Sequence, residues 1–236
     1  MEDFAYIKNN LDAISAKARA ARASSTFGQD VRILLATKYA DAAEINFAKS
    51  CGYTLIGENR VQSLLEKYDL LDREGLQIWF IGSLQRNKVR QIIDKVEMIA
   101  SLDSLPLAAE IEKQAARIGK VMDCLVEINI GREEAKGGVY AEDAERFIAE
   151  LAVCPHLRLC GLMTMAPRCA CDADYRAYFA KCRALFDNLC ARGAFATDRP
   201  VLSMGMSESF VPAIAEGSNC VRVGRAAFAR PASAEN

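Results

Sequence analysis

The stretch Val31-Arg32-Ile33-Leu34-Leu35-Ala36-Thr37 is a short apolar run that ends directly before Lys38. Runs of this length and composition are typical of buried β-strands. Seven further runs of the same kind follow along the chain. The eight predicted strands are residues 31–37, 53–56, 78–81, 98–101, 124–130, 157–163, 200–204 and 219–223.

Segments with the i, i+3, i+4 apolar spacing of amphipathic helices separate these strands. Such alternation is typical of parallel βαβ units, and eight of them in roughly 200 to 250 residues favour an α/β fold of the (β/α)8 TIM-barrel type. A doubly wound open sheet would produce a similar pattern and is the alternative. An additional helix is predicted before the first strand, where it would cover the seam of the barrel. Its apolar stripe is Phe4, Ile7, Leu11, Ile14 and Ala18.

The composition indicates a single domain over residues 1–236 and a small-molecule ligand. Of the residues, 51% are hydrophobic, and 30 basic against 31 acidic residues give a net charge of -1. This balance counts against a general nucleic-acid binder or a basic membrane-surface protein. The chain has no run of about 18 apolar residues, and the start Met1-Glu2-Asp3-Phe4 is acidic where a secretory signal is basic. We therefore expect a cytoplasmic monomer that does not bind membranes or nucleic acid.

The cysteines and the histidine do not predict a metal site or a histidine-dependent nucleophile. The nine cysteines include no Cys-x-x-Cys pair, so reduced thiols are expected. Cys169 and Cys171 are close in sequence, but His156 is the single histidine and is predicted to lie in a turn. Lysine and arginine chemistry then become the candidates.

In a barrel of this kind, chemistry belongs to residues just past the carboxyl ends of the strands. Lys38 follows the first strand, and we expect its amine to project into the barrel mouth from an apolar wall. Apolar surroundings would favour the neutral amine, which forms a Schiff base with an aldehyde. A solvated lysine at the end of a strand is the alternative.

Two loops on one edge of the predicted barrel indicate a phosphate site. Ser203-Met204-Gly205-Met206-Ser207-Glu208 follows the seventh strand, and Val221-Arg222-Val223-Gly224-Arg225-Ala226 spans the end of the eighth. The first loop is predicted to start a helix at Ser207. Backbone N–H groups, hydroxyls and a helix dipole at one place are what a phosphate dianion requires. Either loop alone is also compatible with an ordinary turn and helix cap.

Strand alternation places Arg222 on the same face as Cys220 and Gly224, with its guanidinium buried. A buried guanidinium needs a partner, either a carboxylate of the barrel or an acceptor such as a ring nitrogen of a ligand. An aldehyde-binding lysine, a phosphate site and an arginine facing a ring nitrogen together describe pyridoxal 5'-phosphate.

Seven motifs in order along the chain resemble those of the pyridoxal phosphate homeostasis family. They are Ala36-Thr37-Lys38, Gly57-Glu58-Asn59-Arg60-Val61-Gln62, Phe80-Ile81-Gly82-Ser83-Leu84-Gln85-Arg86-Asn87-Lys88, Asn129-Ile130 with Lys136 and Gly138, Gly161-Leu162-Met163-Thr164-Met165, Ser203-Met204-Gly205-Met206-Ser207 and Val221-Arg222-Val223-Gly224. The resemblance implies a barrel similar to the N-terminal domain of alanine racemase, with pyridoxal 5'-phosphate as cofactor.

The resemblance also implies the site residues. Lys38 would form the Schiff base, Arg222 would face the pyridine nitrogen, and Asn59 would lie beside the ring. The full implied cofactor-binding set is Lys38, Asn59, Ser203, Met204, Ser207, Arg222, Gly224 and Arg225, of which Ser207, Gly224 and Arg225 would surround the phosphate.

Three positions depart from the family pattern. Thr37 replaces a serine and keeps the hydroxyl, whereas Trp79 replaces a histidine and is expected to change the packing of the mouth. Arg225 replaces a hydroxyl residue and is expected to add a charge to the phosphate region. Lys136 lies in a charged loop, where it is either solvated or binds outgoing cofactor.

The same residues predict a carrier that is not an enzyme. Arginine keeps its proton, so a pyridine nitrogen facing Arg222 stays unprotonated and the ring is a weak electron sink. The segment after Val223 is too short for the β-domain whose tyrosine serves racemase-like enzymes, and Tyr39 is expected to be a packing residue. We expect a protein that holds pyridoxal 5'-phosphate and delivers it to pyridoxal phosphate-dependent apo-enzymes. The alternatives are a small racemase or aldolase, and an interaction module without cofactor.

Overall fold

Eight parallel strands form a closed barrel in chain order, with the last strand paired to the first. The computed structural model describes residues 4–230. The strands are β1 (Arg32–Ala36), β2 (Leu55–Glu58), β3 (Gln77–Phe80), β4 (Met98–Leu102), β5 (Met122–Ile128), β6 (Leu157–Thr164), β7 (Val201–Ser203) and β8 (Cys220–Val223). Each predicted strand is confirmed with its ends within about two residues, the usual uncertainty of such boundaries. The closed order excludes the open doubly wound sheet.

Helices connect the strands on the outside of the barrel. They are α1 (Ala5–Ser24), α2 (Ala42–Ser50), α3 (Val61–Tyr68), α4 (Val89–Ile92), α5 (Leu105–Arg117), α6 (Ala144–Glu150), α7 (Asp172–Ala191), α8 (Phe210–Ala215) and α9 (Arg225–Phe228), with short 3-10 turns at Arg86–Lys88, Ala141–Asp143 and Leu151–Val153. Within residues 4–230, none of these helices combines the length and the apolar character that a membrane crossing demands.

Helix α1 covers the seam between β8 and β1, as predicted. It buries the stripe of Ile7, Leu11 and Ile14 and packs against α8 and α9, the helices on either side of β8. The Asn10 side chain amide donates to the carbonyl oxygens of Ala227 (3.1 Å) and Ala229 (2.9 Å). The helix that precedes the first strand therefore holds the chain that follows the last one.

The alternation of each strand separates two apolar clusters. Leu34 belongs to the cluster inside the barrel, whereas its neighbour Leu35 belongs to the larger cluster between the sheet and the helices. A β-bulge at Cys160 and Gly161 shifts the pairing of β5 with β6. Gly161 has a φ of 150°, and a Cβ there would lie 2.0 Å from the carbonyl oxygen of Val201. The extra residue changes which face the rest of β6 presents, because side chains alternate with a period of two.

Two expectations about local structure are wrong. Helix α8 begins at Phe210 with Ser209 as its N-cap, so Ser207 lies in the preceding turn and does not start the helix. Trp79 packs in the inner apolar cluster, and the Arg32 guanidinium lies 5.1 Å from its ring centroid. Because Arg32 is the first residue of β1, this contact is at the amino end of the barrel, and Trp79 does not shape the mouth.

Two other expectations concern residues away from the mouth. His156 lies in a turn as predicted, and its Nδ1 is 2.7 Å from Glu112 Oε1. The acids Glu2 and Asp3, and the end of the predicted domain beyond residue 230, lie outside the described residues.

Candidate functional site

A cavity of about 380 Å³ opens at the carboxyl ends of the strands, and its volume lies in the range of small-molecule pockets. The structure brings six of the eight predicted site residues to its wall. These are Lys38, Asn59, Ser207, Arg222, Gly224 and Arg225. Residues from the first two and the last two strand ends therefore share one cavity.

Arg222 is buried and held by oxygen atoms of the barrel wall. Its Nη1 donates to the carbonyl (2.9 Å) and hydroxyl (2.7 Å) oxygens of Ser203, and its Nη2 donates to the carbonyl oxygen of Thr164 (2.9 Å). Burial lowers the pKa of this guanidinium. Within residues 4–230 no group accepts from its Nε, so this N–H remains available to a ligand in the cavity.

The remaining two predicted residues do not line the cavity. Ser203 is fully buried and orients Arg222 from behind. Met204 is also fully buried and packs in the outer cluster between sheet and helices. Ser203 is therefore one layer away from any ligand. The Met204 side chain does not reach the cavity.

Lys38 lines the mouth of the cavity, where its side chain is exposed to solvent. The Lys38 Nζ lies 4.9 Å from the ring centroid of Tyr39, itself 70% exposed, so the amine contacts an exposed aromatic ring as well as solvent. Tyr39 is thus not the packing residue that was expected. The amine nevertheless borders the same cavity as Arg222 and Gly224.

A buried polar network lies directly behind Lys38 and Asn59. The Thr37 hydroxyl donates to Glu58 Oε1 (2.6 Å), and the Lys67 ammonium donates both to this oxygen (2.8 Å) and to the Thr37 carbonyl (2.9 Å). Glu58 is 1% exposed. The network joins the ends of β1 and β2, from which the two site residues emerge, and the hydroxyl that Thr37 shares with serine is part of it.

Asn59 carries a buried acceptor without a partner. Its Oδ1 receives no hydrogen bond from the described residues, although buried polar atoms normally have one. The backbone of Asn59 is fixed by close approach to Gly82, where a Cβ would lie 2.1 Å from the Asn59 carbonyl oxygen. A ligand donor in the cavity would satisfy this amide oxygen.

The loops after β7 and β8 meet at Ser207. The Ser207 Oγ accepts long hydrogen bonds of 3.4 Å from the backbone N–H groups of Gly224 and Ala226. A Cβ at position 224 would lie 2.7 Å from the Ala36 carbonyl oxygen, so only glycine fits there. Two backbone donors and a hydroxyl therefore converge at one edge of the cavity, which suits an anionic oxygen.

The charge of Arg225 is balanced. Its side chain is 74% exposed and forms an ion pair with Glu208 at 3.0 Å. The charge that Arg225 was expected to add to this region is thus paired with that of Glu208. Lys136 is likewise paired, with Glu133 in its own loop, and it lines the cavity from the loop after β5.

Sequence reasoning missed two carboxyl groups of the cavity, Asp103 and Glu127. Burial raises the pKa of Glu127 to about 7, the Asp103 charge adds to the increase, and Arg222 opposes it. Asp103 follows β4 as Lys38 follows β1, so the strand-end rule applied to the fourth strand finds it. Glu127 falls in the middle of the predicted fifth strand and gives no such signal.

The groups on the cavity wall match the three parts of pyridoxal 5'-phosphate. A lysine amine can react with its aldehyde, the Arg222 Nε–H can face its ring nitrogen, and the donors around Ser207 can hold its phosphate. The unpartnered Asn59 Oδ1 adds a polar atom beside the ring position.

Comparisons with known proteins agree with this match. Residues 9–230 match the family model of the alanine racemase N-terminal domain. The chain is 41% identical to a pyridoxal phosphate homeostasis protein of Aquifex aeolicus over 84% of this chain and 86% of that protein. It is 34% identical to the protein of the same name from Helicobacter pylori, over 94% and 97% of the two chains. The structure of PipY from Synechococcus elongatus with pyridoxal phosphate bound superposes with a TM-score of 0.80 at 27% identity, covering 94% of this chain and 99% of PipY.

Proposed function

This chain belongs to the alanine racemase N-terminal domain family and, within it, to the pyridoxal phosphate homeostasis proteins, and on that basis we propose that it binds pyridoxal 5'-phosphate in the barrel mouth and takes part in the homeostasis of this cofactor. The observation that carries the proposal is the cavity shared by Lys38, Arg222 and Gly224. When bound, the cofactor supplies an aldehyde to which an amine adds reversibly.

Each residue has a separate role in this proposal. Lys38 tethers the cofactor as a Schiff base, and Arg222 donates from Nε to the ring nitrogen. Asn59 contacts the ring, while Ser207 and the backbone N–H groups at the start of α9 hold the phosphate. Ser203 keeps the guanidinium in place, and Met204 supports the strand from the outer layer. Arg225 contributes its backbone, since its side chain is engaged by Glu208.

The proposed protein carries the cofactor with little or no turnover. Arg222 cannot give up its proton to the ring nitrogen, and this limits carbanion chemistry. The exposed position of Lys38 supports release, because another amine can reach the tether from solvent. We propose pyridoxal phosphate-dependent apo-enzymes as recipients, a monomeric carrier, and a cytoplasmic location, which the nine unpaired cysteines favour.

One observation favours a second candidate, a small racemase-like enzyme. Tyr175 of α7 lines the cavity and is 9% exposed, so its hydroxyl is a candidate acid or base. Racemisation of alanine by the loaded protein, compared with Tyr175→Phe, separates the two functions. A carrier shows no Tyr175-dependent turnover, whereas turnover near the enzyme median of about 10 per second would establish the enzyme.

The tether is tested by reductive trapping. The purified protein is loaded with pyridoxal 5'-phosphate, reduced with borohydride and digested, and the pyridoxyl adduct is located by mass spectrometry. We expect one adduct, on Lys38. The control variant Lys136→Met removes another lysine of the same cavity and should still carry the adduct on Lys38. The variant Lys38→Met should carry no such adduct. An adduct on a different lysine of the wild-type protein would refute the assignment.

A further inference from the structure

Two carboxyl groups face the cavity without an ion-pair or hydrogen-bond partner among residues 4–230. Glu127 near the end of β5 is 8% exposed and projects from the wall, and Asp103 follows β4 next to it on the barrel. Gly137 leaves room for the acid, because a Cβ there would lie 3.0 Å from Asp103 Oδ2. Each carboxyl group can therefore contact a ligand bound in the cavity.

Among residues 4–230, the cations around the cavity form no hydrogen bond or ion pair with either acid, although the Arg222 charge acts on Glu127 through space. Arg222 donates to Ser203 and Thr164, Lys136 pairs with Glu133, Arg225 pairs with Glu208, and the Lys38 ammonium lies over the Tyr39 ring. The remaining ionisable group on the wall is the phenol of Tyr175 in α7. Two like charges that share a partly buried cavity are unfavourable unless a cation joins them.

We propose that Asp103 and Glu127 form a binding subsite for a primary ammonium group, and that Glu127 accepts a proton from it. The proposal rests on the proposed function, because its purpose is to supply an amine beside the tethered cofactor. The ligand is a small alkylamine or the side chain of a lysine, both of which carry the ammonium on an uncharged stem. A free amino acid suits the subsite less well, because its carboxylate would be repelled by the two acids.

The proton transfer is balanced within the subsite. One N–H bond of the ammonium breaks, one O–H bond forms on the Glu127 carboxylate, and no group is oxidised or reduced. The neutral amine that results has the lone pair that addition to a carbonyl-type carbon requires. The raised pKa of Glu127, about 7, brings this carboxylate closer to an alkylammonium, whose pKa is about 10.4, than an ordinary glutamate.

Direct binding is measured by calorimetry on cofactor-free protein with propylamine, Nα-acetyl-lysine amide and L-alanine as probes. We expect binding of the first two and weaker binding of alanine. Asp103→Asn should raise the dissociation constant for propylamine by about tenfold, the effect of one lost charge-assisted contact. Tighter binding of propylamine would indicate a small amine as the ligand. Tighter binding of Nα-acetyl-lysine amide would indicate a lysine side chain of a protein.

Release is measured on loaded protein as free cofactor that appears on addition of propylamine. Asp103→Asn should raise the half-saturating propylamine concentration, and Glu127→Gln should lower the maximal rate and flatten its change between about pH 6 and pH 8. Glu134→Gln is the matched control, since it removes an acid of the mouth loop that does not line the cavity. Circular dichroism of each variant shows whether it is folded.

Equal propylamine binding by wild type, Asp103→Asn and Glu127→Gln would overturn the subsite. Asp103 is only half-buried, so its variant decides the question even if Glu127→Gln does not fold. If wild type cannot be loaded at Lys38, the proposed function fails instead. In that case the calorimetric comparison still decides whether the acids bind an ammonium group.

Discussion

Thr37 and Glu58 are joined by a hydrogen bond of 2.6 Å from the threonine hydroxyl to Oε1, and each directly precedes a residue of the proposed site. Lys67 completes the network from α3, where its ammonium reaches Glu58 Oε1 at 2.8 Å. The ends of β1 and β2 are therefore fixed to each other by buried polar groups. The directions of Lys38 and Asn59 depend on this connection.

Lys67→Met should destabilise the protein by about 3 kcal/mol, because it leaves the buried Glu58 carboxylate without a counter-ion. Urea unfolding measures the change. The double variant Glu58→Gln with Lys67→Met should lose less than Lys67→Met alone, since it removes the uncompensated charge. Equal losses in the single and double variants would show that the ion pair does not carry the effect.

Ser203→Ala should weaken cofactor binding although Ser203 does not line the cavity. The variant removes the hydroxyl acceptor 2.7 Å from Arg222 Nη1 and should cost about 1.5 kcal/mol of stability. Urea unfolding and a cofactor titration measure the two effects. Ser50→Ala, which removes a hydroxyl on an exposed helix end, is the control and should change neither. A variant with normal affinity would contradict the positioning role of Ser203.

Glu127 should make the stability of the cofactor-free protein fall as the pH rises. Its folded-state pKa of about 7 lies above the ordinary 4.5, so its stabilising contribution is complete below pH 4.5 and is lost as the pH passes 7. Glu127→Gln should therefore be more stable than wild type at about pH 8, by on the order of 3 kcal/mol, and nearly equal at about pH 4. Urea unfolding at the two pH values checks this, and a constant difference would contradict it.

Gly82→Ala should disturb the site through Asn59. The added Cβ would lie 2.1 Å from the Asn59 carbonyl oxygen, a backbone atom that cannot move without shifting the loop after β2. We expect a loss of about 2 kcal/mol in stability and faster loss of bound cofactor on dialysis. Gln85→Ala, at an exposed position of the same loop that does not line the cavity, is the control. A crystal structure of Gly82→Ala with an unmoved Asn59 would disprove the explanation.

Iodoacetamide should label Cys171 first in the native protein. Cys171 is exposed, whereas Cys124, Cys160, Cys182 and Cys220 are buried. Burial raises the pKa of Cys160 to about 11 and of Cys182 to about 12, so few thiolates form there at neutral pH. Mass spectrometry of the labelled peptides, with urea-unfolded protein as the reference, checks the order.

The barrel was predictable from the sequence because its strands are short apolar runs separated by helical spacing. The interior position of Arg222 followed from alternation in β8, and the meeting of the loops at Ser207 and Gly224 followed from the geometry of parallel strands. These features depend on local periodicity and on one general rule of barrel topology.

Features that depend on packing in three dimensions were not predictable. The exposed position of Lys38 and the pairing of Arg225 with Glu208 depend on how the loops after different strands pack against each other. The start of α8 at Phe210 depends on a tight turn that uses Ser209 as the cap. Glu127 is the penultimate residue of β5, whereas the apolar run continues to Ile130 and places it in the middle of the predicted strand.

The pairing of β1 with β8 places Leu34 beside Arg222, although these residues come from the two ends of the barrel sequence. Forming contacts between residues so distant along the chain costs a large amount of chain entropy. A growing polypeptide that has left the ribosome only as far as β7 therefore lacks the arginine and both backbone donors of the pocket. The contacts proposed for the ring nitrogen and the phosphate of the cofactor therefore form only after β8 has paired with β1.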